Sequence, residues 1–166
     1  MKDKMVCPDW CKGLVITMVD TLDVSFNMDL DASLFYILMN EKVFSIKSEF
    51  IKGFILDNKS FINYKRVDEA SFMLLELLVP GEITLYKHHE LIYKKPDFDP
   101  ILNVGSRTGS YKKKYSHFGF CNDRLFEVSS KIKKARKKIK QECSIEPKQI
   151  KKGTIIELFE SLKNPE

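Results

Sequence analysis

The chain has 166 residues, 43% hydrophobic and 31% charged, which excludes a disordered or fibrous polymer and suits a globular fold. A chain this long buries roughly 70% of the surface that its unfolded form exposes, so it needs neither disulfide nor metal to fold. The formal net charge of +5 is unevenly spread: residues 1–130 hold 17 basic and 18 acidic side chains, residues 131–152 ten and two, and residues 153–166 one and three.

In chain order, Gly13–Val19 is apolar and β-branched, and Asp20-Thr21 makes a tight connection. Leu22, Val24, Phe26, Met28 and Leu30 then alternate with Asp23, Ser25, Asn27 and Asp29, the period-two pattern of a strand with one wet face. Leu34–Met39 and Val43–Ile46 read as a hairpin turning at Asn40-Glu41-Lys42. Phe50–Leu56 and Ser60–Tyr64 form another, turning at Asp57-Asn58-Lys59, because Asx residues tolerate left-handed backbone. Phe72–Val79 is ambiguous. Its Met, Leu and Glu favour helix, and Glu69-Ala70 would extend one. Pro80-Gly81 decides for a hairpin, with Pro presetting φ and Gly accepting positive φ before Ile83–Tyr93.

Residues 96–110 read as a mobile loop rich in Gly, Ser and Pro, and Tyr111–Phe120 as another strand. From Ser129 the period becomes helical: Ile132, Ala135, Ile139 and Cys143 share a face, with Ser129 or Ser130 as cap. After Pro147 a second short helix carries Ile155, Ile156, Leu158, Phe159 and Leu162.

The layout resembles a family of uncharacterised bacteroidete proteins. Gly13-Leu14-Val15-Ile16-Thr17 leading to Asp20-Thr21-Leu22 is similar to its opening hairpin, and Phe50-Ile51-Lys52-Gly53-Phe54 to its next block. Leu78-Val79-Pro80-Gly81-Glu82-Ile83-Thr84-Leu85-Tyr86 resembles its most recognisable segment. The Lys-rich helix with Ile155-Ile156-Glu157-Leu158-Phe159 resembles its C-terminal helical pair. The resemblance implies a fold and, since members usually carry a secretion leader, export to the cell envelope or periplasm. It carries no catalytic residue across. Met1-Lys2-Asp3-Lys4-Met5 lacks the apolar core of a leader, and the Cys7/Cys11 pair departs from the family pattern. A cytoplasmic chain is expected if no leader was removed. No apolar run is long enough to span a bilayer.

Motifs for chemistry are sparse. Dinucleotide, P-loop, metalloprotease and nucleophile-elbow patterns are absent. Gly105-Ser106-Arg107-Thr108-Gly109-Ser110 superficially suggests a phosphate loop, but no helix follows it. His88 and His89 are neighbours on a strand and point to opposite faces. His117 could approach one of them, and surface or interface imidazoles are the expectation. Asp97 and Asp99 lack the rest of a calcium loop and read as turn residues. The cysteines are too widely spaced for a zinc site and are expected as free or partly buried thiols, with a Cys7–Cys11 disulfide as the alternative if the chain is exported.

The expected fold is α+β: a curved antiparallel β-meander of eight to ten strands, barrel- or sandwich-like, with two short C-terminal helices. It forms a single domain over 1–166, with a β-rich body over 13–128 and the helical pair over 129–166. The first functional expectation is a non-enzymatic envelope or interaction module without cofactor or metal, partnered by a protein or an anionic surface. The second is binding of nucleic acid or anionic lipid through Lys133, Lys134, Arg136, Lys137, Lys138 and Lys140, which are expected to be largely exposed. The third is a small-ligand binder or hydrolase with a pocket in the curved sheet. A charge run is most often only a solvated helix face.

Overall fold

The computed structural model describes residues 4–65, 72–147 and 153–163. Ten strands and two helices follow one another: β1 Cys11–Thr17, β2 Thr21–Asp29, β3 Leu34–Met39, β4 Lys42–Lys47, β5 Ile51–Leu56, β6 Lys59–Lys65, β7 Phe72–Val79, β8 Thr84–Lys94, β9 Ser110–Cys121, β10 Arg124–Val128, α1 Ile132–Cys143 and α2 Ile155–Glu160. Phe72–Val79 is a strand, as the Pro80-Gly81 signal predicts. Glu69-Ala70 lie outside the described residues. All strand pairs are antiparallel, in the order β10-β9-β8-β7-β6-β5-β1-β2-β3-β4. The sheet is thus two meanders, β1–β4 and β5–β10, joined through β1 and β5.

Three hairpins turn on two residues in left-handed backbone: Asn40-Glu41, Asp57-Asn58 and Asn122-Asp123. Such turns match the right-handed twist of their strands, and Asx residues accept positive φ at small cost. Pro80-Gly81 does lie in the β7–β8 connection. The turn is longer than a tight Pro-Gly β-turn, however, because Val79 pairs with Leu85 across a register shift, and Gly81 is not among the glycines with positive φ.

The sheet is open but strongly curled. Only Ser48–Phe50 separate β4 from β5, yet four strand spacings lie between them, about 19 Å in a flat sheet. Four Cα steps reach about 14 Å at most, so the corner must bend. Likewise the Tyr111 hydroxyl on β9 reaches Asp31 Oδ2 at 3.3 Å, and Lys113 Nζ donates to the Met5 carbonyl at 2.8 Å. Six spacings separate β9 from β2, about 29 Å if flat.

Residues opposite one another in an antiparallel pair share a face, and the register places both cores on the inner face. One core contains Val15, Phe26, Met28, Phe35, Ile37, Phe54, Phe61 and Leu74. Phe54 stacks on Phe61 at 4.6 Å and tilts against Phe26 at 5.0 Å. The other core joins Leu85, Phe126 and Val128 to Ala135 and Ile139 of α1 and to Leu158 and Phe159 of α2. Gly119 faces the Phe126 ring so closely that a Cβ there would collide with it. The helical period is as read: Ala135, Ile139 and Cys143 are buried, with Ile132 packed beside them. The predicted serine cap differs in detail, since Ser129 Oγ accepts from Lys131 N–H, before the helix begins. Thr154 and Glu157 form a reciprocal capping box on α2.

The cysteines correct an expectation. All four are disulfide-bonded, Cys7 to Cys11 and Cys121 to Cys143. The second pair is distant in sequence, but it joins the end of β9 to the end of α1 at a Cα–Cα distance of 5.8 Å. The packing of α1 on the sheet creates that proximity, which spacing alone does not reveal.

Candidate ligand-binding site

Three places gather polar or exposed aromatic side chains. The first is α1. Lys133, Lys134, Lys137 and Lys140 are exposed, while Arg136 and Lys138 are half-buried. Three of the six have internal partners: Arg136 donates to the Pro147 carbonyl at 3.0 Å, Lys138 pairs with Glu142 at 2.6 Å, and Lys140 pairs with Glu146. Lys133, Lys134 and Lys137 have no hydrogen-bond or ion-pair partner among the described residues. Lys148, Lys151 and Lys152 lie outside the described residues.

The second is an ionic cluster on the inner face. Glu76 on β7 is buried, 4% exposed, yet charged. Lys59 of β6 lies 3.3 Å from Oε1; Lys87 and His89 of β8 lie 3.5 and 2.8 Å from Oε2. Register places them there: Glu76 stands opposite Phe61 and Lys87, one pleat from His89. Burial alone would raise the Glu76 carboxyl, but the His89 hydrogen bond and the two ammonium groups outweigh it and hold it below the usual carboxylate range. His89 is pushed below the usual imidazole range by burial first, with Lys87 adding to it, against the opposing pull of Glu76. It is therefore a neutral ring at pH 7, donating Nε2–H to Glu76, wedged edge-on between Phe61 and Tyr115. His117 sits on the same face, opposite Lys87, also lowered by burial. Glu76 is thus saturated by donors, and the cluster reads as a lock on the β6-β7-β8 register. Among the described residues no group of three acidic, His or Cys side chains could hold a metal.

The third place was not legible in the sequence. Residues 4–6 run beside β2: Met5 bridges to Asp29, and Val6 N–H donates to Met28 O at 2.9 Å. β1 also pairs with β2, starting at Cys11 opposite Phe26. Residues 7–10 therefore loop out of what would otherwise be one continuous strand. The Cys7–Cys11 disulfide closes the base of this loop. Asn27, buried and directly opposite the gap, supplies the missing ladder bonds with its side chain. Its Oδ1 accepts from Cys7 N–H at 3.2 Å, and its Nδ2 donates to Cys7 O at 3.1 Å and Asp9 O at 2.6 Å. In the sequence Asn27 is simply a wet-face residue; its role depends on a register that no local pattern specifies. What the clamped loop holds outward is Trp10, the chain's single tryptophan, 41% exposed.

The remaining candidates resolve as turn and surface residues. Asp97 Oδ1 accepts from Ser106 N–H, and Asp99 Oδ1 from Ile101 and Leu102 N–H. The glycine-serine segment is followed directly by strand β9. His88 and His89 do lie on opposite faces.

Comparison of the chain with protein-family models, with curated proteins and with solved structures finds no match. The class that the fold defines is an α+β protein built on an open, curled, ten-stranded antiparallel sheet with two C-terminal helices.

Proposed function

We propose that this protein is a non-enzymatic interaction module of an oxidising compartment outside the cytoplasm, and that the loop closed by Cys7 and Cys11 presents its contact residue. The observation carrying this reading is the clamp on that loop: a disulfide and a buried asparagine hold an exposed tryptophan that adds nothing to either core. Ordering a side chain in advance removes part of the entropy loss from binding, and tryptophan is a preferred anchor at recognition surfaces. Cysteine chemistry supports this compartment, because disulfides persist where thiols are not kept reduced. The resemblance to a bacteroidete family whose members usually carry a leader agrees with it.

The test is the thiol state of the protein in its native cells. Alkylation before lysis should modify none of the four cysteines until a reductant is added. Full modification without reductant would overturn the compartment.

A second reading, contact with polyanions through α1, rests on the three exposed lysines that have no partner among the described residues.

A further inference from the structure

Beside Trp10 the loop and the outer face of the sheet enclose an open cavity of about 360 Å³. It rests on the reading that this loop presents a contact residue, and its lining narrows the chemistry. Tyr36 of β3 stands directly opposite Asn27 on the outer face, and Asp29 lies one pleat along. Asp9 comes from the loop, and Met5 and Val43 line the cavity with apolar surface.

Three features bear on the ligand. Both aromatic rings, Trp10 and Tyr36, carry electron-rich faces. Both charged side chains among the described lining residues, Asp9 and Asp29, are acidic, on a chain whose net charge is +5. The Asp9 carbonyl accepts from Asn27, but its carboxylate has no hydrogen-bond or ion-pair partner among the described residues. Asp29 Oδ1 accepts from Asp31 and Ala32 N–H, which leaves its other oxygen for a ligand. Finally, side-chain donors are scarce: the Asn27 amide is committed to Cys7 and Asp9, which leaves the Tyr36 hydroxyl and the Trp10 indole N–H.

A sugar ring would stack on Trp10, but its hydroxyls need fixed donors as well as acceptors. A quaternary ammonium needs neither. It has no N–H to satisfy, its methyl groups pack on apolar and aromatic surface, and its charge is drawn to ring faces and carboxylates. From this geometry we infer that the cavity binds a small free organic cation of the quaternary ammonium class, with Trp10 and Tyr36 as the aromatic walls and Asp9 and Asp29 as the counter-charge.

The experiment titrates the oxidised full chain with choline chloride, against potassium chloride at equal ionic strength, reading fluorescence of the one tryptophan. A saturable change is expected with choline and none with potassium. Asp9→Asn should weaken it about fivefold, as expected for removing one nearby charge at a surface. Val43→Lys, which sets an ammonium at the apolar wall, should abolish it, and the far-ultraviolet circular dichroism of both variants should match the parent. Methyl glucopyranoside and phosphatidylcholine vesicles are titrated in parallel. A response to the glucoside or to vesicles but not to free choline overturns the inference, as does no response to any of them or a choline response undiminished in both variants. If choline fails while the cysteines are oxidised in cells, the exported-module reading stands and only this ligand falls. Free thiols in cells overturn that reading whatever the titration shows.

Discussion

At the scale of single residues, His89 makes a pH-dependent contribution to stability whose sign is fixed by its surroundings. Its imidazole is held below the ordinary range by burial, so the unfolded chain takes up a proton at a higher pH than the folded one. Folding stability is then fully present above the unfolded value of about 6.5 and falls as pH drops below it toward the folded value. Glu76, held low, adds a second loss only below about pH 4.3. Urea unfolding at pH 7.5 and 5.5 should show the parent losing stability on acidification and His89→Gln losing less, with His117, also lowered by burial, contributing to what remains. Equal losses would mean that His89 titrates as if exposed. No local pattern warns of this, because Glu76, Lys87 and His89 are brought together by the β7–β8 register, which a hairpin signal locates only to within a residue or two. Phe26, by contrast, was legible, since the period-two alternation of Leu22–Leu30 assigns a face whatever the strand order.

At the scale of elements, the hairpins and α1 were readable for the same reason: each carries its own period and its own turn residues. β10 was missed. Arg124–Val128 is only five residues long, too short for alternation to stand out between an Asn-Asp turn and a helix. The jump that seats β5 beside β1 was also missed, because strand order is decided by burying the phenylalanines together and not by any local signal. For α1, replacing Lys133, Lys134 and Lys137 by Gln should change stability by less than about 0.5 kcal/mol per site, as for ordinary surface positions. If the helix binds polyanions, the parent should be retained on heparin with a steep salt dependence that the triple variant flattens. Retention that is weak and equal in both proteins would discard the polyanion reading. Lys138 and Arg136 are unsuitable for this test, because their partners Glu142 and Pro147 would confound charge with helix anchoring.

At the scale of the whole molecule, one inner face carries two apolar cores with the Glu76 cluster between them, and the helices cover one of these cores. Composition and the strand-then-helix order announced this class, whereas the closeness of the two ends of the sheet did not show, because curl arises from corners such as Ser48–Phe50. The long connection between β8 and β9 has a consequence for covalent continuity. Its Asp99–Val104 bridge and Asp97–Ser106 bonds are internal to the loop, and most of its residues are exposed, which makes it the expected site of first cleavage under native conditions. Neither disulfide crosses it: Cys7–Cys11 lies wholly before, Cys121–Cys143 wholly after. One cut between residues 96 and 109 would therefore leave two separate polypeptides without a covalent link, held together by the eleven residue pairs of β8 and β9, by the Tyr111–Asp31 and Lys113–Met5 contacts across the curl and by the core that the helices share with β7 and β8. On a denaturing gel the nicked protein should run as two bands with or without reductant, yet elute as one species from a native sizing column. Separately expressed halves divided there, each with its own disulfide, are expected to reassemble by rebuilding that seam, and failure to co-elute would show that an unbroken chain is required to bring β9 beside β8.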